Sequence, residues 1–294
     1  MNIKDYALCI VIMAIWGLNF SVVKLGLNGM DPMLLTGLRF TLAVIPAIFF
    51  VRKPDVHILY LIGYGLTFGV GVWGMSTCSI GAGLSPGMAA LLLQTNVVFG
   101  LFLGWAMLNE KVKFAHILGS LIALGGLAAS LTVTDGSVNF QGVTLILFAA
   151  ISWSISGILI KKSQTKAVFS FTLWAMLFAP LPLFLMSYVQ VGASAFTTFF
   201  DHLTGVVLFS IVYQAYGTTL FGYWIWNRMI VSHPLSQVAP FTLLVPIFAI
   251  LGSNILFNEV ISLEKMLSSS LIIFGLLIGI LPVERARSFV RRIV

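Results

Sequence analysis

Four polar side chains in this sequence sit where polar groups are costly: Asn19, Lys24, Arg39 and Gln94, each inside a run of apolar residues. A guanidinium offers five N–H donors in a planar fork, which matches a carboxylate. A carboxamide both donates and accepts, so Asn19 and Gln94 suit a small ligand carrying charges of both signs. Aromatic residues add possible walls. Tyr213, Tyr216, Leu220 and Tyr223 recur at helical spacing, with Gln214, Trp224 and Trp226 alongside, and Trp16, Trp73 and Trp153 lie in other apolar runs.

Each candidate has a plainer reading beside the functional one. Asn19 shares a helical face with Trp16, Val23 and Gly26, so it serves either an interhelical hydrogen bond or a polar cavity. Gln94 faces the same choice. Lys24 is near a span end, where its stem reaches the headgroups, and snorkelling outweighs a substrate or gating role. Arg39 lies deep for a permanent charge. A clamp with a carbonyl or with Asp31 is the first reading, a substrate carboxylate site the second. From the tyrosine stripe Tyr216 is preferred as nearest mid-depth, with Tyr223 next; an aromatic stripe is otherwise core or interface belt. Pro240 and Pro246 break a backbone ladder, for gating or as a static kink. Asn96 aligns with Gly100 and Gly104 and is assigned to packing; Gly65/Gly69, Gly83/Gly87 and Gly275/Gly279 also fit tight helix crossings.

The elements that position these groups follow from composition. Of 294 residues, 59% are hydrophobic and 9% charged, and the mean hydropathy is +1.05. Water-soluble domains carry about a quarter charged residues, so lipid must solvate most of this surface. The net charge of +7 sits in short pieces between apolar runs, a topological pattern and not a nucleic-acid surface. Cys9 and Cys78 read as small hydrophobes. The N-terminal apolar run has no cleavage site and reads as a retained first span.

A helix needs about 20 apolar residues to cross the bilayer core. Punctuation by Pro, Gly and charge predicts ten spans, at 6–27, 33–51, 58–80, 86–108, 115–133, 142–161, 169–189, 204–227, 236–257 and 266–283. With the N-terminus in the cytoplasm, Lys4, Arg52, Lys53, Lys111, Lys113, Lys161, Lys162, Lys166, Arg228, Arg285, Arg287, Arg291 and Arg292 all fall inside, and only Lys265 lies in an outer loop. The tail 284–294 then reads as a basic cytoplasmic anchor at anionic lipid.

A repeat is visible. "WGLNFSVVK" (16–24) matches "WSISGILIK" (153–161), pairing Asn19 with Ser156 and Lys24 with Lys161 at an offset of 137 residues; "LNEKV" (108–112) matches "FNEVI" (257–261) at 149. The expected architecture is an all-α polytopic membrane protein of two five-helix units, 6–133 and 142–283. An odd number of spans per unit inverts the second copy, the usual frame of secondary transporters with a midplane site between halves. On that frame Trp16, Asn19, Arg39, Trp73, Gln94, Trp153, Ser156, Tyr216 and Tyr223 are the expected substrate-binding residues, and Lys24, Pro240 and Pro246 the gating or structural ones.

The stretches "IWGLNFSVVKLGL", "DPMLLTGLRF", "AIFFVRKP", "GYGLT", the Gln94 helix with "LNEKV", and "VAPFTLLVP" resemble the EamA family of the drug/metabolite transporter superfamily, over the whole chain. The resemblance, in particular to bacterial inner-membrane exporters of O-acetylserine and cysteine, implies ten helices, inverted repeats and efflux of amino-acid-like compounds by alternating access. The chain departs in "VWGMSTCSI" and "FGYWIWNRM", which leaves aromatic or other amino acids and lipophilic amines as competing substrates. A membrane enzyme or scaffold is the reading from another class. No phosphate-binding loop, metal cluster or nucleophile–base pair occurs in the sequence. The expected partners are a small-molecule substrate and the bilayer, with no cofactor and no nucleic acid; oligomeric state leaves no trace in the sequence.

Overall fold

A computed structural model describes residues 1–233 and 235–280, as helices and their connections. The basic tail 284–294 lies outside the described residues. The main helices are α1 (Ile3–Gly26), α2 (Pro32–Ile48), α3 (Ile58–Gly81), α4 (Pro86–Leu108), α5 (Phe114–Ser130), α6 (Phe140–Ser163), α7 (Val168–Val191), α8 (Gly205–Ser232), α9 (Pro240–Phe257) and α10 (Leu263–Ile280). Seven of them, α1, α3, α4, α6, α7, α8 and α9, are long and apolar enough to cross a membrane; α2 and α5 are shorter apolar helices. Large side chains such as Phe102, Trp105, Phe148, Leu185 and Leu208 stand exposed on the outside, as a lipid-solvated surface requires.

Local chemistry sets the helix ends. Asn2 and Asp5 form a reciprocal capping box at the start of α1. Asp31 with Pro32 and Ser85 with Pro86 open α2 and α4, a side-chain oxygen capping the first turn and a proline whose missing N–H costs nothing there. Asn109 and Asn258 close α4 and α9, both left-handed at φ 52°. They are 149 positions apart, the offset of the LNE and FNE motifs.

A second pair of irregularities keeps nearly the same spacing. Residues Gly65–Gly74 of α3 and Tyr213–Gly222 of α8 are both ten-residue π-helical stretches. The helix pairings agree with them: α1 lies against α9 and α8, α6 lies against α4 and α3, α2 crosses α7, and α5 crosses α10.

Glycine allows the closest crossings. A Cβ on Gly65 would fall 2.1 Å from the Ala175 carbonyl oxygen of α7, and one on Gly119 of α5 would fall 2.4 Å from the Gly275 oxygen of α10. The expectation for Gly100 and Gly104 is corrected. Gly100 meets its nearest neighbour, the Ser154 hydroxyl, at an ordinary 3.7 Å, and Gly104 makes room for the Glu110 carboxylate at the end of α4. Asn96 contributes its backbone instead, its carbonyl accepting from Ser154 Oγ at 2.7 Å.

Candidate functional site

The helix breaks place a cavity of about 340 Å³ in the middle of the bundle, lined from α1, α2, α3, α4, α6, α7, α8 and α9. Its closed end is formed by buried Phe20, Arg39 and Trp73. The opposite end is lined by half-buried Ile160, Val168, Phe169, Trp226 and Asn227. Ile160 and Asn227 immediately precede Lys161 and Arg228 in the chain, so the mouth lies at the end of the bundle rich in lysine and arginine.

Six of the expected residues, Trp16, Arg39, Trp73, Gln94, Trp153 and Tyr223, line this cavity. Trp16 packs its ring near Tyr223 and Trp226, with centroids at 5.3 and 5.6 Å. Its indole Nε1 donates to the Thr218 carbonyl at 3.1 Å, and a Cβ on Gly222 would lie 2.4 Å from that nitrogen. Gln94 ends the first section of α4. Its Nε2 reaches the Thr242 carbonyl of α9 at 3.5 Å, a long contact. Thr242 belongs to a 3₁₀ stretch, Ala239–Leu243, so the interruptions of α4 and α9 meet beside the cavity.

Arg39 departs most from expectation. It is 1% exposed, yet its partner is not Asp31, which caps α2 through the Leu34 N–H at 2.9 Å. The guanidinium instead donates from Nε to Thr219 Oγ1 at 3.1 Å and from Nη2 to Thr218 Oγ1 at 3.4 Å. Its flat face covers Trp73 at 4.1 Å from the ring centroid. Both hydroxyls donate onward to the Gln214 carbonyl, at 2.6 and 2.7 Å. A π turn brings residues four and five positions on back over the same carbonyl, which is how adjacent threonines share one acceptor.

Three expected binding residues do not reach the cavity. Tyr216 is 39% exposed on the outer face of α8. Ser156 is buried and donates to carbonyls of its own helix, Ser152 and Trp153, both at 2.9 Å, as a helix-internal serine in an apolar setting does. Asn19 is fully buried, apart from the cavity lining, and its carboxamide has no hydrogen-bond partner among the described residues. The interhelical hydrogen bond expected of it is therefore not seen among them.

Of the gating or structural candidates, Pro240 is half-buried in the 3₁₀ stretch and Pro246 is buried in α9. Lys24 is exposed, its Nζ 4.4 Å from the Phe257 ring centroid. Lys161, its counterpart in the repeat, pairs with Glu110.

Sequence reasoning missed Phe68, Thr218, Thr219 and Asn227. For Asn227 a signal existed, because it lies four residues after Tyr223 on the same helical face. Phe68 likewise lies one turn from Tyr64, and the two rings stack at 5.1 Å. Thr218 and Thr219 had no usable signal without the π turn.

Comparisons with known proteins agree with this architecture. The family model described as EamA-like transporter family matches twice, over residues 4–132 and 140–281. A protein named probable amino-acid metabolite efflux pump, from Salmonella typhimurium, is 35% identical over 95% of this chain and 96% of its own length. One of the same name from Escherichia coli strain K12 is 34% identical with the same coverage. A crystal structure of another protein superposes with a TM-score of 0.62 at 15% identity, covering 95% of this chain and 97% of that one, a likeness of fold alone. With two copies of the family's unit, apolar helices long enough to span a bilayer and an aromatic cavity between them, this multi-pass membrane protein belongs to the EamA-like transporter family.

Proposed function

We propose that the protein exports small amino-acid metabolites, of the cysteine and O-acetylserine kind, by alternating access through the central cavity. On this reading ten helices cross the inner membrane as two inverted five-helix units, 6–133 and 142–283, with both termini in the cytoplasm. The paired π stretches, the paired Asn109 and Asn258 caps and the two family matches support the duplication. The distribution of lysine and arginine supports the orientation.

The observation that carries the reading is the cavity itself. Its 340 Å³ falls at the small end of ligand-site volumes, and its walls combine aromatic rings with a few convergent polar groups, Arg39, Gln94, Thr218 and Asn227. The mouth faces the end assigned to the cytoplasm, where an exporter collects its cargo. The protein then acts as a transporter and not as an enzyme: substrate passes through chemically unchanged. The names of the Salmonella and Escherichia relatives point to the same class of cargo.

The test is counterflow in proteoliposomes without ATP. Vesicles preloaded with O-acetylserine are expected to accumulate labelled cysteine above protein-free controls, with unlabelled cysteine and O-acetylserine competing more strongly than phenylalanine or threonine. A protein that accumulates none of these solutes would overturn the reading.

A further inference from the structure

The Arg39 guanidinium is a permanent charge, buried, with no carboxylate beside it among the described residues. Every described ion pair lies elsewhere: Glu110 with Lys161, Asp135 and Glu259 with Lys265, and Asp5 with His233. Its protein partners are two neutral hydroxyls, both already committed as donors to the Gln214 carbonyl. They hold the Nε and Nη2 side of the fork. Nη1 has no acceptor among the described residues.

A buried charge left without a counterion is costly unless something else supplies the negative charge. The arrangement also fixes how a ligand would meet it. Trp73 covers one face of the guanidinium and the threonines occupy one edge, so the edge that carries Nη1, buried at the cavity lining, is the one left to a ligand carboxylate once the side chains over it move apart. Arginine binds a carboxylate there through two parallel N–H bonds.

The rest of the cavity is suited to the other end of a zwitterion. Among the described residues no aspartate or glutamate lines it to neutralise an ammonium, but Trp16, Trp153, Tyr223 and Trp226 present aromatic surface. Aromatic faces attract ammonium groups, more strongly where water is excluded.

We propose that Arg39 is the specificity-determining anchor for a free substrate carboxylate, with the ammonium directed toward the aromatic wall nearer the mouth. The proposal deepens the transport reading and rests on it for the identity of the cavity as the substrate site. It excludes lipophilic amines: a carboxyl-free cation would enter a pocket already charged positive, with nothing to release the guanidinium from its unpaired state.

The test uses purified full-length protein in phosphatidylcholine nanodiscs, so that no anionic headgroup competes for the guanidinium. Binding is read from the fluorescence of the tryptophans lining the cavity, a signal independent of transport. The probes are O-acetylserine, cysteine, phenylalanine, cysteine methyl ester, phenylalanine methyl ester and cysteamine. At least one acid is expected to bind, and its ester or decarboxylated amine to bind at least tenfold more weakly. Arg39→Gln is expected to weaken that acid at least tenfold while leaving its ester unchanged, with Arg39→Lys in between because it keeps the charge and loses the fork.

Esters or cysteamine binding as well as the acids would overturn the proposal, and so would binding of none of the acids. If Arg39→Gln does not fold, the comparison of acid with ester on the unaltered protein still decides. Acid-selective binding without counterflow would uphold the anchor and sink the transport reading, whereas counterflow indifferent to esterification would do the reverse.

Discussion

Tyr216 and Tyr223 are seven residues apart, which on a regular α-helix puts them on one face. In the protein Tyr223 lines the cavity while Tyr216 stands on the outer surface. The π stretch Tyr213–Gly222 contains Tyr216 and runs up to Tyr223; each residue of such a stretch advances less than the ~100° of an α-helix, so the phase is lost. This sets the limit of what single residues disclose in the sequence. Arg39 and Gln94 were legible because a charge or an amide in lipid has few places to go. Ser156 was not, since a hydroxyl can satisfy itself on its own helix. Asn19 is buried but, among the described residues, has neither the interhelical hydrogen bond nor the cavity position expected of it. The consequence is testable by exchange of one ring at a time in the counterflow assay. Tyr216→Ala is expected to leave the apparent affinity within about twofold, because its ring contributes nothing to the wall. Tyr223→Ala opens a gap between Trp16 and Phe68, whose ring centroids lie 5.3 and 5.9 Å from its own, and is expected to weaken apparent affinity about tenfold, the ~1.4 kcal/mol within reach of one lost aromatic contact. Equal effects would mean that the cavity wall is not where substrate sits.

Between elements, the span limits were readable because apolar runs, prolines and capping residues repeat the same message. Pro32 after Asp31 and Pro86 after Ser85 each mark a helix start to within a residue. The interruptions inside spans were less readable, since π and 3₁₀ stretches answer to neighbours and not to local propensity. The loop contacts were not readable at all. Lys265, assigned by sequence to an outer loop, is 4% exposed and joins three segments. Its ammonium lies 2.8 Å from Asp135 in the α5–α6 connection and 2.6 Å from Glu259 after α9, and it donates to the Val260 carbonyl at 2.9 Å. At Asp135 burial pulls the pKa upward, but hydrogen bonds from Lys265 and Ser137 outweigh it and hold the carboxyl below its ordinary value. A depressed pKa in the folded state means stabilisation that is present above the usual carboxylate range and lost as pH falls through the lowered value. Lys265→Met is therefore expected to lower stability in detergent by roughly 2–4 kcal/mol near neutral pH, where two carboxylates lose their shared cation. The gap between variant and parent should narrow as pH falls through the ordinary carboxylate range toward the lowered value of Asp135. Thermal melts at pH 7 and pH 3.5 check both halves; a gap independent of pH would assign Lys265 a packing role only.

At the scale of the whole molecule the two halves correspond in position but not in state. The packing of α1 on α9 repeats as α6 on α4, and the residues at the far ends are Lys24 with Glu259 in one case and Lys161 with Glu110 in the other. Only the second pair is joined. Lys24 rests on the Phe257 ring, while Glu259 is held by Lys265 and by the Ser253 hydroxyl. This asymmetry follows that of the cavity, which is closed toward the Lys24 end and open toward the Lys161 end. If alternating access exchanges the environments of two inverted units, Lys161 and Glu110 separate in the opposite state. The strength of the pair allows it. Both side chains are substantially exposed, at 61% and 44%, and an exposed pair is worth about 0–1 kcal/mol, so it can break in every cycle at a cost near thermal energy. A covalent link in its place cannot. Glu110→Cys combined with Lys161→Cys, oxidised to a disulfide, is expected to hold the cavity open toward its present mouth and reduce counterflow at least tenfold. Each single cysteine should leave transport nearly unchanged, and a reductant should restore it in the double variant. Full transport with the disulfide intact, verified by the loss of two thiols relative to the reduced double variant, which retains Cys9 and Cys78, would mean that α4 and α6 travel as one rigid body and that the state change lies elsewhere in the bundle.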